Sequence, residues 1–247
     1  MIPNDDDTRV RAGLFRYVRE AVAANRPLLG EIELARQLQA SRQQVRNALS
    51  ALERQGIVRR RQGAQTVVDP IALRMSVRLE EQLEHSELLA RLGYRPTVEV
   101  VESGFVSLPS ELVPLLTSDA GDTAFRVVKR WMADDRPAML AVNHVAFPHG
   151  VPEQMDERES VFAIAERVWG ESIVWEVATP GVRILNAAEA QSMTMEVGAP
   201  VLTIEILGTA VSGRTTFHAF EMHNPDIVSY SFARTLRPPW SARYRAD

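Results

Sequence analysis

Cysteine is absent from all 247 residues. That excludes disulfides and any thiolate metal site, and it fits a reducing compartment. Long apolar runs are missing too, so no segment reads as a bilayer span. The opening stretch, MIPNDDDTRVR, is acidic and lacks the apolar core of a secretory signal. The expectation is a cytoplasmic protein. No G-x-G-x-x-G, P-loop or G-x-S-x-G is present, and no H-x3-H or H-E-x-x-H spacing occurs. Nucleotide-binding, hydrolase and zinc motifs therefore fail, and neither cofactor nor metal is expected. Lysine is missing from residues 1–70, yet that stretch holds 12 Arg against 8 Asp and Glu.

Charge is divided unevenly. The whole chain sums to −4, residues 1–70 to +4 and the remainder to −8. A basic module joined to an acidic body is the charge pattern of a DNA-binding head, and the acidic body discourages docking the wrong way on phosphate.

The periodicity of the basic module supports this. Val10, Leu14, Val18, Ala21 and Val22 recur on one face of a helix over residues 8–25, and Pro27 follows where that helix must stop. A second helix is expected at 31–39, with Leu34, Ala35 and Leu38 inward. After a turn at Gln39 and Ala40, Ser41 and Gln44 have the spacing of a capping box. Val45, Ala48, Leu49 and Leu52 then bury one face of a third helix and leave Arg42, Gln43, Arg46 and Asn47 on the other. Gly56 ends it. Residues 57–68 read as two short strands around Gln62 and Gly63, with Arg59, Arg60 and Arg61 beside the tip. Two helices, a tight turn and a basic ribbon make a winged helix-turn-helix.

The remainder mixes helices and strands without a strict βαβ repeat, which implies an α+β fold with a mainly antiparallel sheet. Helices are expected at 77–93, 109–116, 159–170 and 187–196. Strands are expected from Thr97, at 124–133 and 137–147 around Asp134 and Asp135, at 173–185, and in a last hairpin around Ser212 and Gly213. The domain reading is 1–69 for the head, 70–76 for a linker and 77–247 for the second domain.

The first 68 residues resemble the DNA-binding domain of the GntR family of bacterial repressors. Glu33–Leu34–Ala35, Leu38, Ser41, Arg42, Val45, Arg46, Ala48, Leu49, Leu52, Glu53, Gly56, Arg59, Arg60, Gly63, Thr66 and Val67 carry the match. Departures are Ile32 where the family has Arg, Gln65 for a wing glycine, and Gln43–Gln44 for a Thr pair. Residues 77–240 resemble the UTRA effector domain of the HutC subfamily, through LLARLG, the hairpin Asp134–Asp135–Arg136–Pro137 and the run PVLTIEILGTAVSGRTTFHAFEMHNPD. The resemblance implies a small-molecule effector, a homodimer and a fold similar to that of chorismate lyase.

Arg reads guanine O6 and N7 bidentately, and Gln or Asn pairs with adenine. Arg42, Gln43, Gln44 and Arg46 open the third helix, the end that enters a major groove. Ser41 sits where a helix N-terminus favours phosphate. Arg36, Arg59, Arg60 and Arg61 are candidates for phosphates, Gln62 and Gly63 for the minor groove, and Thr66 joins them by resemblance. For the effector, the resemblance points to Lys129 and Trp131, where many family members carry arginines. Trp131 favours a flatter ligand than a sugar phosphate. His144, Glu221, His223 and Asp226 are the remaining polar candidates. Alternation puts Glu221 and His223 on one face and His218 on the other, and Asp226 follows a turn at Asn224–Pro225. The expected function is a repressor released from a palindromic double-stranded operator by a small metabolite. The alternatives are a lyase-like enzyme acting on a small aromatic or carboxylic acid, and a ligand-independent architectural DNA binder.

Overall fold

The computed structural model describes residues 5–60, 65–148, 150, 154–232 and 234. The chain divides into two compact units. The first takes residues up to 84 together with 90–93 and the stretch from 229; the second takes 85–89 and 94–228.

In the first unit, α1 (Asp5–Ala23), α2 (Glu31–Gln37) and α3 (Arg42–Arg54) precede a ribbon of β1 (Val58–Arg59) and β2 (Val67–Val68). The strands pair antiparallel, Val58 with Val68 and Arg59 with Val67. The core follows the apolar stripes expected from spacing: Val10, Leu14, Val18 and Ala21 of α1, Leu34 and Ala35 of α2, and Val45, Ala48, Leu49 and Leu52 of α3 are all buried, while Val22 and Leu38, also expected inward, are half-buried at the margin. Gln39 turns the chain between α2 and α3 at φ 48°, and Gly56 takes φ 74° after α3, the left-handed conformation that glycine adopts without steric cost.

The following segment departs from its expected secondary structure. Residues 70–74, within the expected linker, are helical. Asp69 caps α4 (Pro70–Arg74), its carboxylate accepting from the Ile71 and Ala72 amides, with Pro70 in the first turn. The expected helix over 77–93 shrinks to α5 (His85–Arg91). Its first half is an isolated bridge at Arg78 followed by a turn, because its backbone pairs elsewhere: the Leu79 amide donates to Ser231 O at 2.9 Å and the Ser231 amide to Val77 O at 3.0 Å.

The second unit is α+β. One six-stranded sheet has the order β3-β4-β5-β8-β7-β6, and every neighbouring pair is antiparallel. The strands are β3 (Pro96–Ser107), β4 (Thr123–Ala133), β5 (Arg136–Ala146), β6 (Ile173–Ile184), β7 (Pro200–Ala210) and β8 (Thr215–His223). The expected helix over 109–116 is only a 3-10 turn at Val113–Leu115, interrupted by Pro114. α7 (Ala187–Met193) places Ala190 and Met193 in a core with Val128, Leu140 and Met222 on one sheet face. α6 (Val161–Trp169) packs on β5, β6 and β8, with Phe162 edge-on to Phe217 at 5.4 Å. Phe217 and Phe162 belong to the opposite face, the one that carries the polar cluster described below.

Candidate DNA-reading surface and effector site

The N-terminus of α3 is built as the Ser41…Gln44 spacing requires. The Gln44 amide donates to Ser41 Oγ at 3.2 Å, and the Ser41 amide donates to Gln44 Oε1 at 2.9 Å. Gln44 Nε2 donates to Asp6 at 3.1 Å. Both ends of this amide are engaged, so Gln44 acts here as a cap rather than as a free base reader. Gln43 donates to Asn47 one turn on, at 2.9 Å, and both are exposed. Arg42 is exposed and has no side-chain partner among the described residues.

The other arginines differ in how they are held. Arg36 is 72% exposed and pairs with Glu33 on its own helix, a surface contact that a phosphate can replace at little cost. Arg59 lies 3.8 Å from Asp69 and is 75% exposed. Arg60 turns inward: its guanidinium donates to Glu53 at 2.7 Å and to Ser50 Oγ at 2.7 Å, and its amide donates to Glu53 as well. That places it as a strut of the wing rather than on the outer surface. Arg46 donates to Glu31 through Nη2 at 3.1 Å and Nε at 3.3 Å. Thr66 is half-buried. Arg61, Gln62 and Gly63 lie outside the described residues.

In the second unit, strand register gathers four of the six effector candidates on one face. Trp131 and Lys129 on β4 oppose Met139 and Ala141 on β5, which in turn oppose His223 and Glu221 on β8. His85, from the start of α5, completes the group. Glu221 accepts from His85 Nε2 at 2.8 Å and from His223 Nε2 at 2.9 Å, and all three are buried. The His85 ring stands edge-on to Trp131 at 4.6 Å and 5.9 Å from His223. Burial pushes the Glu221 carboxyl up, but the charge and hydrogen bonds of His85 and His223 outweigh it and hold the group below the usual carboxylate range. Burial pushes His223 down, against the pull of Glu221. The centre of the cluster is therefore an ionised carboxylate with a donor on each oxygen.

Glu176 on β6 shares this face, because it opposes Gly208 on β7, which opposes Phe217 on β8. One of its oxygens is buried without a hydrogen-bond partner. Burial, helped by the Glu221 charge, pushes Glu176 up to about 7. Lys129, the only lysine of the chain, is buried and donates to the Glu159 carbonyl. The unpartnered Glu176 oxygen can accept a hydrogen bond from a ligand, on the same sheet face as the Trp131 indole.

The remaining candidates are not brought to the cluster. His144 lies on the opposite face, directly across from His218, with ring centroids 6.3 Å apart. Burial, with the charges of His218 and Arg126, pushes it down to about 4. Asp226 is exposed, and its amide donates to Asn224 Oδ1 at 3.0 Å, the turn role that Asn224–Pro225 implies. His85 and Glu176 were missed from sequence. His85 stands 136 residues from its partner Glu221, and nothing local marks it. Same-face alternation on β6 was the one signal for Glu176.

Comparison with known proteins is consistent for both units. The model of bacterial regulatory proteins of the gntR family matches residues 16–68, and that of the UTRA domain matches residues 91–228. The HTH-type transcriptional repressor NagR of Bacillus subtilis (strain 168) is 24% identical over 205 residues, covering 83% of this chain and 84% of that protein. Among solved structures, PhnF from Mycobacterium smegmatis aligns with a TM-score of 0.56 at 21% identity, over 85% of this chain and 92% of that one. A possible transcriptional regulator, YydK from Bacillus subtilis, aligns with a TM-score of 0.53 at 15% identity, over 91% and 99% respectively.

Proposed function

From the premise that this chain belongs to the GntR family of bacterial transcriptional regulators with a UTRA domain, we propose that it represses from a palindromic operator and is released by a small metabolite. The observation that carries this reading is α3 itself, a capped helix whose buried stripe leaves Arg42, Gln43, Arg46 and Asn47 outward. Those side chains have the reach and donor geometry for base edges. Arg36 and Arg59, both largely exposed, are the proposed phosphate contacts. NagR of Bacillus subtilis is a repressor, and we extend that sign of regulation to this chain.

The effector binds at the cluster of His85, Lys129, Trp131, Glu176, Glu221 and His223. Its ligand carries an N–H or O–H donor for Glu176 and a flat portion for the indole. The enzyme reading lapses, since the family is one of regulators. The partner is a second copy of the chain. β6 is an edge strand with Val174, Trp175, Val177, Val182 and Ile184 all exposed, and an unpaired apolar edge is a surface that native proteins cover. A two-fold pairing there sets the spacing of two heads on a palindrome. Ligand releases DNA only through different affinities for the two head arrangements, with a coupling of about 1–3 kcal/mol.

The test is a titration of duplex DNA at several salt concentrations. A steep salt slope together with discrimination between a selected and a scrambled duplex is expected. Binding with neither would contradict the reading.

A further inference from the structure

Arg46 and Arg60 belong to different elements, yet one carboxylate touches both. Glu31, the first residue of α2, receives Arg46 Nη2 at 3.1 Å and Arg46 Nε at 3.3 Å on Oε2. Its other oxygen, Oε1, lies 3.8 Å from Arg60 Nη1. Arg60 donates in turn to Ser50 Oγ at 2.7 Å, and Ser50 Oγ donates to the Arg46 carbonyl at 2.9 Å. The four residues close a ring across α2, α3 and the base of the wing. Glu31 is 27% exposed and Arg60 24%, whereas Arg46 remains 53% exposed.

The geometry of a guanidinium gives this ring a consequence. It has five donors in a planar fork, and the edge formed by Nε and Nη2 is distinct from the end formed by Nη1 and Nη2. Glu31 takes the Nε edge. The end-on donors are left for an acceptor pair, and guanine O6 and N7 are such a pair. An unbraced arginine loses rotamer entropy when it binds. A braced one has already lost much of it and points one way.

A second effect is electrostatic. An acid on a DNA-facing surface repels phosphates unless its charge is neutralised. Here two arginines neutralise it. An acid kept in that place weakens general attraction to the backbone, so its return must come as selectivity.

We propose that Glu31 is the positioning residue for base recognition: it braces Arg46 side-on for a guanine and couples that arginine to the wing through Arg60. This rests on the reading of α3 as the helix that enters the groove. Arg60 accordingly acts through Glu31 and Ser50, and the wing's phosphate contacts fall to Arg59 among the described residues.

The test uses the full-length protein and selection from a random duplex pool, followed by measured affinities for the selected site and for single-base variants. Wild type is expected to select a motif containing a guanine whose replacement costs about tenfold or more in affinity. Arg46→Ala should abolish that preference. Glu31→Gln keeps the size and removes the charge. It should reduce discrimination at that same base to less than about threefold, while affinity for a scrambled duplex stays equal or rises. In the double variant, Glu31→Gln should add nothing to Arg46→Ala, since the two act as one unit. Thermal unfolding of each variant controls for folding. A wild type that selects no motif would overturn the regulator reading itself. A wild type that selects a motif which Glu31→Gln reads with undiminished discrimination would overturn the bracing role alone. Additive losses in the double variant would also overturn it, since they would mark Glu31 as a general scaffold residue.

Discussion

At the scale of single residues, two carboxyls on one face of the sheet handle buried charge in opposite ways. Glu221 has a donor on each oxygen and stays ionised. Glu176 has an oxygen with no partner and titrates at about 7. Its folded-state pKa is raised, so the folded chain holds a proton that the unfolded chain gives up from about pH 4.5 upward. The destabilising effect of Glu176 therefore grows as pH rises through the window from about 4.5 to 7 and is complete above it. Glu176→Gln is expected to raise Tm at pH 8 and to leave it unchanged at pH 4; an equal change at both values would refute the assignment. His144 has the reverse linkage. Its pKa is depressed to about 4, so its contribution is present above the usual histidine range near 6.5 and is lost as pH falls toward 4. This is also the scale at which the sequence was least legible. Glu221 and His223 were placed together by alternation, a local rule. His85 reaches them only through a tertiary contact across 136 residues, and same-face alternation on β6 was the sole hint of Glu176. The inward turn of Arg60 is likewise set by Glu53 and Ser50 on another element.

Elements follow local chemistry where that chemistry has no competitor. The capping box of α3 and the Asn186…Glu189 box of α7 each satisfy two helix-end donors. The three helix stripes of the head were readable for the same reason, since period and burial agree. Residues 77–84 show the failure mode. Their pattern permits a helix, but pairing with Ser231 offers the same backbone groups another partner. In the sheet, element packing depends on one missing side chain. A Cβ on Gly208 would come within 1.9 Å of the Phe217 ring, so the ring lies directly across that stretch of β7. Gly208→Ala should destabilise the second unit by about 1–3 kcal/mol, read from urea unfolding. Unchanged stability would mean that the ring is not anchored there.

The whole molecule pairs a basic head with an acidic body, +4 against −8. No described helix is long and apolar enough to cross a membrane. The proposed two-fold contact along β6 makes a prediction at this scale. Val182 is 74% exposed and Ile184 61%. Replacing both with lysine should convert a dimer to a monomer in sedimentation equilibrium and lower operator affinity at least tenfold, because the second head is no longer tethered near its half-site. A variant that sediments as wild type would move the interface elsewhere.

Everything in this account depends on α3 meeting duplex DNA through its outward arginines. The direct measurement is operator affinity of the Arg42→Ala/Arg46→Ala variant against wild type, at one salt concentration and with folding verified by thermal melting. A loss of at least a hundredfold on the operator, with a much smaller loss on scrambled DNA, is the expected result. Retention of wild-type affinity and discrimination would contradict the account.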